Sequence, residues 1–159
     1  MPNKHYTPQQ VLPQRAPMLL IDQIGDWSKD WIEVQVTHQH PNLFTKKNGN
    51  TPAWVALEYI CQAAAAHAGI LQLESGQTIK LALVLGTRKL HIPQTHFKAQ
   101  ETLFIKASLE MVSTDGIGVY KCDIYTLEPA KKLLSSCTIK AIMLNDPTLI
   151  VKLGGKQLI

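Results

Sequence analysis

Alternating hydrophobic and polar residues predict strands over much of the chain. The clearest alternation covers residues 31–37, where Ile32, Val34 and Val36 take every second position. Such a period-two pattern is typical of a strand with one buried face. Other apolar or alternating runs predict strands at residues 18–24, 79–85, 103–111, 119–126 and 133–144. We expect the last four of these strands to follow one another as a meander of antiparallel neighbours.

One long helix is predicted between the second and third strands, over residues 51–74. Thr51 is a suitable N-cap, and Pro52 suits the first helical position. The middle of the segment contains the alanine run 63–66 and is apolar around most of the helix, so other elements must cover it. An antiparallel sheet wrapped around the helix provides most of that cover, and a second subunit can provide the rest. The pattern therefore predicts an α+β fold that forms a dimer.

Length and composition fit one folded domain. The chain has 159 residues, of which 45% are hydrophobic and 18% are charged, which is enough apolar material for a core. We expect one domain over residues 1–145 and assign no conformation to the tail at 146–159. Residues 1–17 contain four prolines and lack the apolar core of a signal peptide. No run approaches the ~20 apolar residues of a membrane span, so we expect a cytoplasmic protein without membrane insertion.

Charge and cysteine content argue against a nucleic-acid site, a disulfide framework and a metal site. The net charge is +4, but the basic residues are dispersed and not interleaved with aromatic residues, so no nucleic-acid site is expected. The cysteines Cys61, Cys122 and Cys137 stand far apart in the sequence. Their spacing favours reduced core thiols over a disulfide framework or a metal site.

Glu58 and Gln62 interrupt the apolar middle of the predicted helix. They are four residues apart and share one face, whereas His67 lies about 180° away around the helix. Two interpretations of Glu58 stay open. It is either an acid or base that faces a substrate, or a buried carboxylate that hydrogen-bonds Gln62 for structural reasons. Cys61 has no basic neighbour in the sequence and is interpreted as a core residue rather than a nucleophile.

Three segments resemble a known enzyme family. Residues 12–22 (LPQRAPMLLID), 53–63 (AWVALEYICQA) and 85–90 (LGTRKL) are similar in order and spacing to FabZ-type and FabA-like 3-hydroxyacyl-[acyl carrier protein] dehydratases. Within that group the chain is most similar to the ApeP-type subunits of aryl polyene biosynthesis. The resemblance extends over residues 11–144. It implies a hotdog fold, a dimer, and acyl chains carried on a phosphopantetheine arm.

The resemblance also implies site residues, with one departure from the family pattern. It makes Glu58 the catalytic residue, and it places Gln62, Phe44 and Trp54 against the substrate. In FabZ-type enzymes a histidine stands about fourteen positions before the helix acid, where it shares the acid–base chemistry of dehydration. This chain has Phe44 at that position. We therefore expect the chain alone to turn over acyl thioesters poorly.

Four further residues are candidates for carrier-protein binding or for catalysis, on less direct grounds. Arg88 and Lys89 are interpreted as contacts with an acidic carrier protein, the alternatives being ordinary solvated charge or, for Arg88, a structural salt bridge. His38 and His40 end the strand that leads into the same loop as Phe44. Either could replace the missing histidine, and the alternative is that both are exposed loop residues.

The function predicted from these observations is that of a dehydratase-like hotdog subunit in fatty acid or polyene biosynthesis. It would act on 3-hydroxyacyl chains carried by acyl carrier protein, with a second hotdog subunit supplying the catalytic histidine. The dimer is therefore expected to be a heterodimer, with a homodimer as the other arrangement. Two alternatives stay open: a hotdog acyl thioesterase, whose helix carboxylate activates water, and a non-catalytic scaffold subunit of a heterodimeric dehydratase. Neither a cofactor nor a metal is expected.

Overall fold

A computed structural model describes residues 4–146 and Thr148. The helices are α1 (Pro8–Val11) and α2 (Ala56–Glu74), with one 3₁₀ turn at Ala53–Val55. The strands are β1 (Gln23–Trp27), β2 (Trp31–Thr37), β3 (Thr51–Pro52), β4 (Ala82–His91), β5 (His96–Phe97), β6 (Thr102–Val112), β7 (Ile117–Thr126) and β8 (Lys132–Met143). Apart from its residues 146 and 148, the predicted tail lies outside the described residues.

Six strands form one antiparallel sheet in the order β1-β2-β6-β7-β8-β4, and β3 and β5 form a small second pair. The inward positions align across strands: Val34 lies beside Ile105, and Ile105 lies beside Ile124. All three side chains are fully buried, and α2 packs against this apolar face through β2, β6 and β7. The predicted plan, an antiparallel sheet around one long helix, is confirmed.

The helix begins later than the sequence predicts. Thr51 and Pro52 do not start the helix but pair as β3 with Phe97 and His96 of β5. The main-chain N–H of Ala53 then donates to the carbonyl of Thr95 at 3.0 Å. This contact with a distant segment keeps residues 51–52 extended, and the α-helix starts only at Ala56.

Two strand predictions also need correction. The strand expected at 18–24 begins only at Gln23, because the main-chain groups of Met18 and Leu20 are bound by the side chain of Gln62 instead of by a neighbouring strand. The strand expected at 79–85 runs instead from Ala82 to His91 and pairs with β8. The predicted four-strand meander is therefore wrong. Since β6 already lies between β2 and β7, β4 occupies the edge beside β8.

The β4 edge exposes apolar side chains. Leu81, directly before β4, and Val84, Leu85 and Leu90 within it are each 39–55% exposed. The other main-chain edge of β4 has no neighbouring strand in the described chain. An exposed apolar edge strand is a ready surface for pairing with another sheet. Within the described residues, no helix is both long and apolar enough to cross a membrane.

Candidate functional site

A groove of about 560 Å³ runs along one side of α2. The sheet leaves a stripe of half-buried residues on the helix, including Leu57, Cys61, Ala65 and Ala68. The alanines on this stripe have little bulk, so space remains between the helix and the ends of β4, β6, β7 and β8. The described residues that line the groove are Gln14, Leu57, Glu58, Cys61, Ala64, Ala65, Ala68, Leu71, Gln72, Ser75, Gln77, Ala82, Val84, Leu109, Val112, Gly116, Gly118, Tyr120, Ile139, Ala141 and Met143.

Glu58 is the one carboxylate among the described residues that line this largely apolar groove. It is half-buried in the first turn of α2. Ser75, at the other end of the lining, follows it by 17 positions, a length of about 25 Å at the helical rise of 1.5 Å per residue. The groove is therefore long and apolar, with an acidic group towards one end, and this shape suits a chain-like ligand.

Gln62 holds Glu58 in place from inside the fold. The fully buried Gln62 side chain accepts a hydrogen bond from the main-chain N–H of Leu20 at 2.9 Å. Its amide nitrogen donates to the carbonyl of Met18 and to Oε1 of Glu58, both at 2.7 Å. The predicted shared face of Glu58 and Gln62 is thus present. Gln62 is not among the described residues that line the groove. Its three contacts in the structure hold Glu58 in position, and a contact between Gln62 and substrate stays a prediction.

Phe44 and Trp54 meet at the surface before the helix. Their rings pack edge to face with centroids 5.3 Å apart, and Trp54 is 62% exposed. Trp54 precedes Glu58 by four positions, but neither aromatic residue lines the groove. Phe44 also carries no titratable group, so nothing at this position replaces the acid–base function of a histidine.

The alternative histidines lie away from the groove. His38 is 7% exposed, and its two ring nitrogens lie 3.1 Å from the carbonyl of Glu101 and 3.0 Å from the hydroxyl of Tyr59. Burial lowers the pKa of His38, with a smaller opposing effect from the Glu101 carbonyl. His40 is exposed. Within the described chain, the groove lining contains no histidine.

Burial also determines the chemistry of Cys61. Desolvation, followed by the nearby charge of Glu58, raises the pKa of the Cys61 thiol to about 12. The thiol is therefore protonated at neutral pH and is a poor nucleophile, as the sequence indicated. Among the described residues, no group of three histidine, cysteine or acidic side chains is placed to hold a metal ion.

Arg88 and Lys89 lie outside the groove as well. Both are exposed on β4, and Lys89 has a positive φ of 52° at the register irregularity between Arg88 and His91. The two basic side chains thus belong to the open edge of the sheet, next to the exposed apolar residues already described.

The sequence analysis did not single out five polar residues of the groove lining, which are Gln14, Gln72, Ser75, Gln77 and Tyr120. Gln14 lies in the quoted segment 12–22 but has no periodic context that marks it. Tyr120 occupies an inward position of β7, in step with the buried residues Cys122 and Ile124. The signal in the sequence was the hydroxyl of Tyr120 among inward-facing residues that are otherwise apolar. A buried hydroxyl of this kind needs a hydrogen-bond partner.

The sequence matches the model of the ApeP-like family, described as ApeP dehydratase, over residues 6–152. No curated protein matches the chain by sequence. One similar solved structure is the dehydratase heterocomplex ApeI:P from Xenorhabdus doucetiae. It superposes with a TM-score of 0.84 at 22% identity and covers 96% of this chain and 100% of that chain.

Two other solved structures share the fold at lower similarity. Cj0977, a sigma28-regulated virulence protein from Campylobacter jejuni, has a TM-score of 0.64 at 12% identity and covers 87% of this chain and 88% of its own. A thioesterase family protein from Silicibacter pomeroyi has a TM-score of 0.61 at 13% identity, with coverage of 82% and 90%. These likenesses support the predicted hotdog architecture.

Proposed function

The chain belongs to the ApeP-like dehydratase family, and from that premise we propose that it is one subunit of a two-subunit hotdog dehydratase. Its substrates would be 3-hydroxyacyl chains carried by acyl carrier protein. The observation that carries this proposal is the composition of the groove, in which Glu58 is the one carboxylate and no histidine is present among the described lining residues. We also propose that residues 1–145 form the single hotdog domain that performs this role.

The groove supports the binding of an acyl chain. Its lining extends about 25 Å along α2, from Glu58 to Ser75, and its walls are largely apolar. Ala64, Ala65 and Ala68 provide space on the helix side. Burial of methylene groups in such a groove is favourable by about 0.8 kcal/mol for each group removed from water. An acyl chain would therefore lie along the helix with its thioester end near Glu58.

Dehydration of a 3-hydroxyacyl thioester needs two proton-transfer groups. One removes a proton from the α-carbon, and the other protonates the hydroxyl that leaves from the β-carbon as water. Glu58 can perform one of these steps, because Gln62 fixes the carboxyl group at the wall of the groove. The other step requires a second group, and His38 is committed to Glu101 and Tyr59. We therefore assign the second group to a histidine of the partner subunit.

The open edge of β4 is the proposed site of the partner. Leu81, Val84 and Leu85 expose apolar surface there, and Val84 also lines the groove. A partner that pairs with this edge would thus reach the wall of the groove. The structurally similar ApeI:P is itself a heterocomplex, which supports two different hotdog subunits over two identical ones.

The carrier protein is proposed to approach the basic part of β4. Arg88 and Lys89 are exposed there, and carrier proteins that bear a phosphopantetheine arm would be attracted if their surface is acidic. Exposed charges at the rim of an interface act mainly on the association rate. Substitution of both residues should therefore slow association and reduce its salt dependence, with little effect on the chemical step.

A reconstitution assay tests the proposed function. The chain is purified with and without the hotdog protein that co-purifies with it, and both samples receive a 3-hydroxyacyl carrier protein. We expect rapid formation of the enoyl product only when both subunits are present. Thioester hydrolysis without dehydration would instead identify a thioesterase, for which the present support is a likeness of fold alone. Rapid dehydration by the chain alone would contradict the two-subunit proposal.

A further inference from the structure

A short arch of main chain, residues 11–20, contacts one face of α2 at two levels. At its first end the carbonyl oxygen of Val11 lies so close to the helix that a Cβ at Gly69 would be 2.1 Å from it. At its second end the N–H of Leu20 donates to the side chain of Gln62. Gly69 follows Gln62 by seven positions, which is about 10 Å along the helix. The arch is thus fixed to α2 at both ends.

The second end of the arch determines the position of the candidate acid. Two main-chain groups of the arch, the N–H of Leu20 and the carbonyl of Met18, orient the amide of Gln62. An amide nitrogen has two N–H donors, and the one that Met18 leaves free donates to Oε1 of Glu58 at 2.7 Å. A shift of the arch would therefore turn the amide and remove the donor from the carboxyl group.

Arg15 connects the two ends of the arch. Its Nη1 donates to the carbonyl oxygens of Leu12 and Gln14, at 2.7 and 2.8 Å. Its own carbonyl accepts from the N–H groups of Met18 and Leu19, at 2.9 and 3.1 Å. The side chain of Arg15 thus binds the first half of the arch, and its main chain binds the second half. Hydrogen bonds from a charged donor are stronger than those between neutral groups, so Arg15 stabilises the shape of the whole arch.

We propose that Arg15 is a positioning residue for the reaction, which acts on Glu58 through the arch and Gln62. The inference rests on the proposed function, in which Glu58 transfers a proton. Arg15 is exposed and is not among the described residues that line the groove, so its effect on turnover is indirect. Displacement of a reacting group by about 1 Å can lower turnover by about 10²-fold, which makes the shape of the arch matter for catalysis.

Substitution of Arg15 in the two-subunit complex tests this inference. Arg15→Met keeps much of the aliphatic stem and removes the donor. Arg15→Lys keeps a donor, and because Nη1 alone serves both carbonyls, an ammonium group can replace it. Lys29→Met is the control, since it removes only an exposed ion pair with Asp30. Each complex is assayed for kcat and KM with a 3-hydroxyacyl carrier protein, and NMR measures hydrogen exchange in this subunit, isotope-labelled within the complex.

We expect Arg15→Met to lower kcat by roughly three- to thirtyfold and to leave KM unchanged. Exchange of the Leu20 N–H should become about tenfold faster, because the arch opens more often. Exchange of the Ile105 N–H, in the middle of the sheet, should stay slow, since the sheet does not open with the arch. Arg15→Lys should restore most of kcat and of the protection at Leu20, and Lys29→Met should change neither.

Other outcomes overturn the inference. An unchanged kcat of Arg15→Met, or unchanged exchange at Leu20, would show that Arg15 does not position the acid. A rise in KM alone would assign Arg15 to contact with the carrier protein. Faster exchange at Leu20 and Ile105 alike, or loss of assembly, would reduce its role to stability, and failure of Arg15→Lys to restore kcat would exclude the hydrogen-bond donor as the cause. Failure of the proposed function is distinct, because the wild-type complex itself would then not dehydrate the substrate.

Discussion

At the scale of single residues, Gln62 connects the candidate acid to the rest of the fold. Its partners Leu20 and Met18 are more than forty positions away in the sequence. The sequence placed Glu58 and Gln62 on one face of a helix, and the structure confirms this. It did not indicate the main-chain partners, because periodicity carries no information about which distant segment crosses a helix face. The predicted contact between Gln62 and substrate came from the family resemblance and stays a prediction.

Substitution Gln62→Met should destabilise the protein by about 2–4 kcal/mol, because it leaves the buried N–H of Leu20 and the carbonyl of Met18 without partners. Urea denaturation of the variant and of the exposed control Gln9→Met measures the change. A loss below about 0.5 kcal/mol, the usual range of surface substitutions, would contradict the positioning role of Gln62.

His67 makes stability depend on pH. Burial lowers its pKa, opposed in part by the carbonyl of Ser28, so the folded state keeps the ring neutral. The unfolded chain binds a proton below about pH 6.5, and the free energy of unfolding should fall on acidification by up to about 1.4 kcal/mol per pH unit. Urea denaturation across this range should show a smaller slope for His67→Gln than for the exposed control His5→Gln. Equal slopes would disprove the role of His67.

At the scale of elements, the local hydrophobic pattern predicted some bounds correctly, and tertiary contacts determined the others. Strand β2 was predicted with its observed bounds, because its alternation is complete and one face is buried. The start of α2 was not, since Thr51 and Pro52 have good local signals for a helix terminus but pair with β5 instead. The position of β4 in the sheet could not be predicted from the sequence either, because it depends on which other strands already have neighbours on both sides.

The contact between α1 and α2 gives an element-level prediction. A Cβ at Gly69 would lie 2.1 Å from the carbonyl oxygen of Val11, so alanine does not fit without moving a helix. Gly69→Ala should reduce stability by about 1–3 kcal/mol, although alanine is favoured over glycine within helices by about 1 kcal/mol. Gly86→Ala is the control, because nothing lies within 4 Å of a Cβ there. Thermal or urea denaturation showing Gly69→Ala to be stabilising would refute this packing.

At the scale of the whole molecule, the edge strand β4 leaves apolar side chains exposed. The sheet of one subunit therefore does not cover all of the apolar surface. The sequence predicted association from the helix that is apolar around most of its circumference, including the alanine run 63–66. It could not specify the surface, because exposure along β4 follows from its position beside β8. We infer that β4 is the surface through which the subunits associate.

Introduction of a charge on this edge should weaken association. Leu85 is 55% exposed and does not line the groove, so Leu85→Lys would place an ammonium group in the interface while leaving the groove intact. Leu127→Lys, at an exposed position outside the strands, is the matched control. Sedimentation velocity should show dissociation of the complex at micromolar concentration for Leu85→Lys only. An unchanged complex would exclude β4 as the interface.

The central claim is that Glu58 performs acid–base chemistry in a site completed by a second subunit. Its most direct test is the dehydration rate of a 3-hydroxyacyl carrier protein by the assembled complex with Glu58→Gln. The amide keeps the size of the side chain and removes its proton-transfer function. We predict an unchanged melting temperature and intact subunit binding, with turnover lowered by roughly 10²–10⁴-fold. Full activity of the Glu58→Gln complex would contradict the claim and assign the chemistry wholly to the partner.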